Sequence, residues 1–317
     1  MSVKDRVAIV TGAGGGLGRE YALLLASKGA KVVVNDYGGS LDGKAGTIAR
    51  AQTVVDEITA AGGTAIADGH DVSKKDDTKA IAQLAIDTWG RIDILVNNAG
   101  ITGRTSPIDD LDVDAFMRVL EIGTLGAHLM TSAVWKAMAA QKHGRIVYIA
   151  SDGILGFGAG GDCAYAASKG ANYALVRDLG RYSPQFGIKI NALFPSASTR
   201  MTELSEGAKF ITSTFFAAST CAPVVAALVS DECPVSGEGF TAGANRSARM
   251  TMATFPGHTQ ETTAEGYLKN WDAVWGKTED AYVPTGTLDH VRYGVLNATG
   301  QELKVEDIPG LGVLSKD

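Results

Sequence analysis

The sequence predicts an α/β protein: a doubly wound parallel sheet covered by helices, with a C-terminal extension. Three observations carry that expectation. Short apolar runs alternate with amphipathic stretches from the first residues to Pro195, a pattern that buries a parallel sheet on both faces. A glycine cluster, Gly12–Gly18, stands between the first apolar run and the first helical stretch. No apolar run approaches the roughly 18 residues that a membrane span needs.

The elements follow in order. Arg6–Thr11 reads as a buried strand and Gly16–Lys28 as a helix stopped by Gly29. Lys31–Asp36 is a second strand, rich in β-branched residues. Tyr37–Arg50 is a polar, glycine-rich insertion before a helix over Ala51–Ala61. Thr64–Asp68 is a weak third strand, and Lys74–Trp89 has apolar residues at helical spacing. Strand Ile92–Asn97, helix Val113–Ala140, strand Arg145–Ala150, helix Ala164–Ser183 and strand Ile188–Phe194 complete the regular part. Beyond Pro195 the pattern loosens to a helix near Ala222–Ser230 and a last strand near Gly239–Thr241. Residues 1–244 are expected to form one domain. Residues 245–317, with Trp271, Trp275 and Tyr282 but no clear period, are expected to pack on it or on a neighbouring subunit.

Composition narrows the class. The 317 residues are 45% apolar and 20% charged, enough for an ample core. Twenty-nine basic residues against 35 acidic ones give a net charge of -6 without a like-charge block. That balance excludes a nucleic-acid surface and a disordered tail. The 39 glycines gather at junctions without a triplet period, which excludes collagen-like and low-complexity readings. Cys163, Cys221 and Cys233 form neither a disulfide framework nor a zinc pattern. They suit a reducing compartment, and the N-terminus shows no signal-peptide core, so a cytoplasmic location is expected. No metal-ligand spacing is present and no metal is expected.

The glycine cluster carries the first chemistry. Thr11-Gly12-Ala13-Gly14-Gly15-Gly16-Leu17-Gly18 follows a strand and opens a helix, so backbone N–H groups and the helix dipole can meet a pyrophosphate. Taken alone, the cluster could equally be a tight turn. Asp36 ends the second strand 18 residues after Gly18. An acid there accepts hydrogen bonds from both adenosine ribose hydroxyls and repels a 2′-phosphate, although a turn cap would look the same. No Arg or Lys follows at Tyr37, Gly38 or Gly39. The coenzyme expected is NAD.

Tyr165 and Lys169 lie four apart, on one helical face. A nearby ammonium favours a phenolate, and a fall in pKa from about 10 to about 7 requires roughly 4 kcal/mol of preferential stabilisation. Such a phenol can take the proton from an alcohol as hydride leaves. Ser151 closes the fifth strand and would polarise the substrate oxygen, with Asp152 a rival for that place.

With Asn97-Asn98-Ala99-Gly100 and Tyr165-Ala166-Ala167-Ser168-Lys169 in place, residues 3–243 resemble the short-chain dehydrogenase/reductase family. The resemblance implies a Rossmann-like sheet of about seven strands in the order 3-2-1-4-5-6-7. It implies catalysis by Ser151, Tyr165 and Lys169. It assigns coenzyme contacts to Gly12, Gly16, Leu17, Gly18, Asp36, Asp71, Val72, Asn98, Ala99, Gly100, Tyr165, Lys169, Pro195 and Thr199. Asn97 would support the ribose and the sheet. The family's spacing counted back from Tyr165 lands on Asp152, while distance from the strand favours Ser151. An asparagine that the family often uses to hold a relay water is Gly123 here, and the usual glycine after Pro195 is Ser196.

Within the family, Gly16-Leu17-Gly18-Arg19 with Tyr21, Val33-Val34-Asn35-Asp36 with Gly38-Gly39, the Tyr37–Arg50 insertion, Thr199-Arg200-Met201-Thr202 and Cys233-Pro234-Val235-Ser236-Gly237 resemble the dehydrogenase units of multifunctional β-oxidation enzymes. This implies oxidation of (3R)-3-hydroxyacyl-CoA, with a steroid-derived chain among the substrates to consider. A hydroxysteroid or other secondary-alcohol dehydrogenase is one alternative. A non-catalytic NAD-binding sensor, which Gly123 would permit, is another. The resemblance also implies a homodimer or homotetramer packed through Val113–Ala140 and Ala164–Ser183. Phe210, Phe215 and Phe216 are candidates for an apolar lid, with core or subunit contact the competing reading.

Overall fold

A computed structural model of the chain describes residues 2–40, 46–156, 162–198, 210, 213–261 and 263–304. The chain divides into two compact units, Met1–Met250 and Thr251–Asp317. In the first, β1 (Val7–Thr11), α1 (Gly16–Ser27), β2 (Lys31–Asn35), α2 (Ala49–Ala60), β3 (Thr64–Asp68), α3 (Lys75–Trp89) and β4 (Ile94–Asn97) follow one another. Then come α4 (Val113–Leu120), α5 (Gly126–Gln141), β5 (Gly144–Ile149), α6 (Cys163–Tyr182), β6 (Ile188–Pro195), α7 (Ala222–Leu228), β7 (Gly239–Gly243) and β8 (Arg246–Met250).

The strands form one sheet in the order β3-β2-β1-β4-β5-β6-β7-β8, parallel except for the last pair. The expected seven-strand order is present, and an eighth strand extends it. Ala244 and Asn245 both have positive φ, 49° and 58°, which is the two-residue turn that matches the twist of a hairpin. Strand alternation divides the core. Ala8 and Val10 of β1 face a cluster with α1, α2 and α7, while Val7 and Ile9 face one with α3, α5 and α6. The helix expected over Val113–Ala140 is interrupted by a π-helical turn at Glu121–Leu125, which contains Gly123.

In the second unit, α8 (Ala264–Lys269), α9 (Trp271–Trp275) and α10 (Thr287–Thr299) are joined by loops and one bridge, Thr254 to Tyr282. Tyr282 stacks on Tyr293 with ring centroids 4.1 Å apart and donates to Asp289 at 2.8 Å. Short helices with few buried apolar positions explain why periodicity did not find this unit.

Candidate active site

The carboxyl ends of β1, β2, β4, β5 and β6 open into one cleft of about 1190 Å³. Ligands of doubly wound sheets bind at this end, where crossovers part to either side. The volume exceeds the roughly 300–1,000 Å³ of a drug-sized site, which leaves room for two ligands side by side.

The glycine loop forms one wall. Gly12 has φ 62°, and a Cβ there would stand 2.9 Å from Ala99 Cα. A Cβ on Gly18 would overlap the Gly12 carbonyl oxygen, so only glycine lets α1 begin this close to β1, whereas Gly15 faces open space. Asn98 ties the wall together: its amide donates to the Thr11 and Gly12 carbonyls at 2.9 and 3.0 Å. The Thr11 hydroxyl accepts the N–H groups of Asn98 and Ala99, each at 3.1 Å. Asn97 points the other way, donating to Thr131 at 3.0 Å in the core. It supports the sheet and does not reach the cleft.

Asp36 accepts from Gly14 N at 2.7 Å and Gly38 N at 2.6 Å. Asp71 accepts from the Ser73 N–H and hydroxyl at 2.9 and 2.7 Å and pairs with Arg118 at 3.3 Å. Burial pushes the Asp71 carboxyl up, but Ser73 and Arg118 together hold it below the usual carboxylate range. Val72 is buried beside it and lines the cleft with Gly16, Leu17 and Gly100. Pro195 ends β6 and faces the same space. Thr199 lies outside the described residues.

Ser151, Tyr165 and Lys169 are brought together at the end of β5 and the first turns of α6. Ser151 is buried, its hydroxyl accepting Gly153 N at 3.0 Å and engaging the Tyr165 phenol. Asp152, the rival position, instead accepts the Ser196 hydroxyl at 2.9 Å, bridging the ends of β5 and β6. Lys169 is buried, donates to the Ile149 carbonyl at 2.8 Å, and has Nζ 5.6 Å from the Tyr165 ring centre. Burial lowers its pKa to about 8. Burial pushes the Tyr165 phenol up and the Asp152 charge adds to that, outweighing the Ser151 hydrogen bond. The downward shift anticipated from the Tyr–Lys spacing is therefore not delivered by these residues on their own, because desolvation of the phenol outweighs what its neighbours return.

Gly123 has a steric reason. A Cβ there would overlap the Ser168 hydroxyl, which would have to turn away to admit the asparagine that the family often has at this place. Thr124 Oγ1 donates to Ser168 Oγ at 3.0 Å, and Asn172 donates to the Gly123 carbonyl at 2.9 Å. Asn172 Oδ1 is buried without a hydrogen-bond partner among the described residues. Sequence reasoning missed Asn172, which lies three residues beyond Lys169 and on the same helical face. Phe216 lines the cleft, while Phe210 and Phe215 are exposed. No group of metal-ligating residues occurs among the described residues.

A fold with this sheet order and a site with these hydroxyls define a class, and the comparisons name it. The short chain dehydrogenase family model matches residues 6–208. The chain belongs to that family and is an oxidoreductase. Fold and family generally bind NAD or NADP. The cradle fits such a group: glycine is obligatory where the loop closes on itself, Gly15 is open, and Asp36 sits at the end of β2.

The chain is similar to the peroxisomal hydratase-dehydrogenase-epimerase of Saccharomyces cerevisiae, 42% identical over 203 residues, covering 64% of this chain and 22% of that protein. It is 38% identical over 253 residues to a short-chain type dehydrogenase/reductase of Mycobacterium tuberculosis, covering 79% and 86% of the two. Among solved structures, a short chain dehydrogenase from Mycobacterium avium matches with TM-score 0.73 at 33% identity, covering 88% of this chain and 97% of that one. The peroxisomal multifunctional enzyme type 2 of Drosophila melanogaster matches with TM-score 0.73 at 27% identity, and 50% of it is covered. The chain thus spans only part of the multifunctional relatives. Among the described residues no helix is long and apolar enough to cross a membrane.

Proposed function

We propose that the chain is an NAD-dependent dehydrogenase that oxidises a secondary alcohol to a ketone. The substrate is (3R)-3-hydroxyacyl-CoA, its acyl chain aliphatic or steroid-derived, and the product 3-oxoacyl-CoA. The observation that carries this reading is the meeting of the Ser151 and Tyr165 hydroxyls beside buried Lys169 in the glycine-walled cleft. Ser151 holds the substrate oxygen, and Tyr165 takes its proton. Lys169 supplies positive charge behind the ring and donates towards the ribose. NAD, held by the glycine wall and Asp36, would supply the hydride acceptor. Asp36 holds the adenosine ribose, Asp71 and Val72 flank the adenine, Asn98, Ala99 and Gly100 back the coenzyme, and Pro195 with Thr199 meets the carboxamide.

The choice of a thioester is supported by the several relatives named as peroxisomal hydratase-dehydrogenase-epimerases or multifunctional enzymes. The catalytic domain is residues 1–244 together with the edge strand β8, and residues 251–317 form a second unit. A homodimer or homotetramer is supported by the exposed apolar Val113, Met117 and Leu125. A cytoplasmic location is supported by three free cysteines.

The test is NADH absorbance on mixing the chain with NAD and (3R)-3-hydroxyacyl-CoA. Tyr165→Phe should lower kcat by about 10²–10⁴-fold. Turnover of a hydroxysteroid but not of the thioester would move the substrate class, and NAD binding without turnover of any alcohol would overturn the catalytic reading.

A further inference from the structure

Arg50 occupies a place that its position in the sequence did not disclose. It stands in the first turn of α2, where a cation meets the positive end of the helix dipole unfavourably. No acidic residue shares that turn. Arg50 is half-buried, lines the cleft, and has no hydrogen bond or ion pair with any described residue. A Cβ on Gly14 would stand 2.7 Å from Arg50 Cβ and 2.8 Å from the Asp36 carboxyl carbon, so the two side chains lie together over the glycine loop. Asp36 spends its oxygens on Gly14 N and Gly38 N and does not neutralise the guanidinium directly.

An acid at this strand end discriminates against a 2′-phosphate, whereas an arginine nearby accommodates one. The planar guanidinium fork matches phosphate oxygens, and its charge offsets the repulsion from Asp36. We infer that Arg50 is a specificity-determining residue that admits the adenosine 2′-phosphate, so that the cleft takes NADP as well as NAD. The inference rests on the proposed dinucleotide role of Asp36.

Fluorescence titrations of the full chain with NADH and NADPH test it without a substrate. The wild type should bind both, NADPH the more weakly. Arg50→Ala should weaken NADPH about tenfold more than NADH, with Arg50→Lys retaining part of the NADPH binding because it keeps the charge but loses the fork. Equal weakening of both coenzymes would overturn the inference, since it would place Arg50 on the adenine or the pyrophosphate. So would NADH binding by the wild type with no detectable NADPH binding. Binding of neither coenzyme would overturn the dinucleotide reading as well, which keeps the two failures apart. Circular dichroism of each variant checks that the fold is kept.

Discussion

Replacing Lys169 by methionine should stabilise the protein while abolishing its activity. Lys169 is 4% exposed, and burial lowers its pKa from 10.5 to about 8. At 1.36 kcal/mol for each pH unit, holding the ammonium in this place costs about 3 kcal/mol at neutral pH. Methionine keeps most of the stem volume without the charge. The Ile149 carbonyl loses its donor, which returns about 1–2 kcal/mol of the gain. A net stabilisation of about 1–2 kcal/mol remains at pH 7, a rise in Tm of about 2–8 °C for a unit of this size. The pH dependence distinguishes this account from simple repacking. The folded pKa lies below the unfolded one, so the cost is fully present below pH 8 and disappears as pH rises to about 10.5. Urea unfolding of both proteins from pH 6 to 10 should show a constant gap up to pH 8 that then closes. A variant less stable than wild type at pH 7, or a gap that does not narrow above pH 8, would refute the reasoning.

Three further outcomes are expected. Asp152→Asn removes a negative charge that holds the Tyr165 phenol up, so the acid limb of kcat/KM against pH should move to lower pH; an unmoved limb would separate Asp152 from the proton transfer. Gly123→Ala should cost about 1–3 kcal/mol by forcing a Cβ onto the Ser168 hydroxyl, and Ser168→Ala in the same chain should recover part of the loss in chemical denaturation. Asp93 has a side chain with no exposed surface, pairs with Arg6 and Arg91 at 3.2 and 2.6 Å, and accepts Val7 N at 2.9 Å. Burial pushes its carboxyl up, but His143, Arg91 and Val7 N hold it well below the usual range. Its contribution is therefore present above about pH 4 and lost as pH falls through the folded value. Asp93→Asn should cost about 3–5 kcal/mol at pH 7, and the two unfolding curves should converge below pH 4.

Local signals carried the reading where one element suffices. Tyr165 and Lys169 share a helical face whatever surrounds them, and Gly12 and Gly18 mark a strand-to-helix turn with no room for a Cβ at either position. β8 escaped because its turn, Ala244-Asn245, lacks the glycine that usually announces a hairpin, and because an edge strand half open to water shows weak alternation. The break at Glu121–Leu125 escaped because helical periodicity survives one wide turn.

By itself, the sequence determined the alternation of strands and helices, the glycine wall, and the hydroxyl and ammonium side chains near the end of β5. Those features are encoded in neighbours three or four residues apart or in a single loop, so backbone geometry alone fixes them. Only the tertiary structure decided that Asn97 turns into the core, that the Ser168 hydroxyl crowds Gly123, and that Arg50 lies beside Asp36. It also decided the charge state of the site, for desolvation of Tyr165 and Lys169 depends on what the sheet and helices pack around them. Distance through space, which no local pattern records, sets those outcomes.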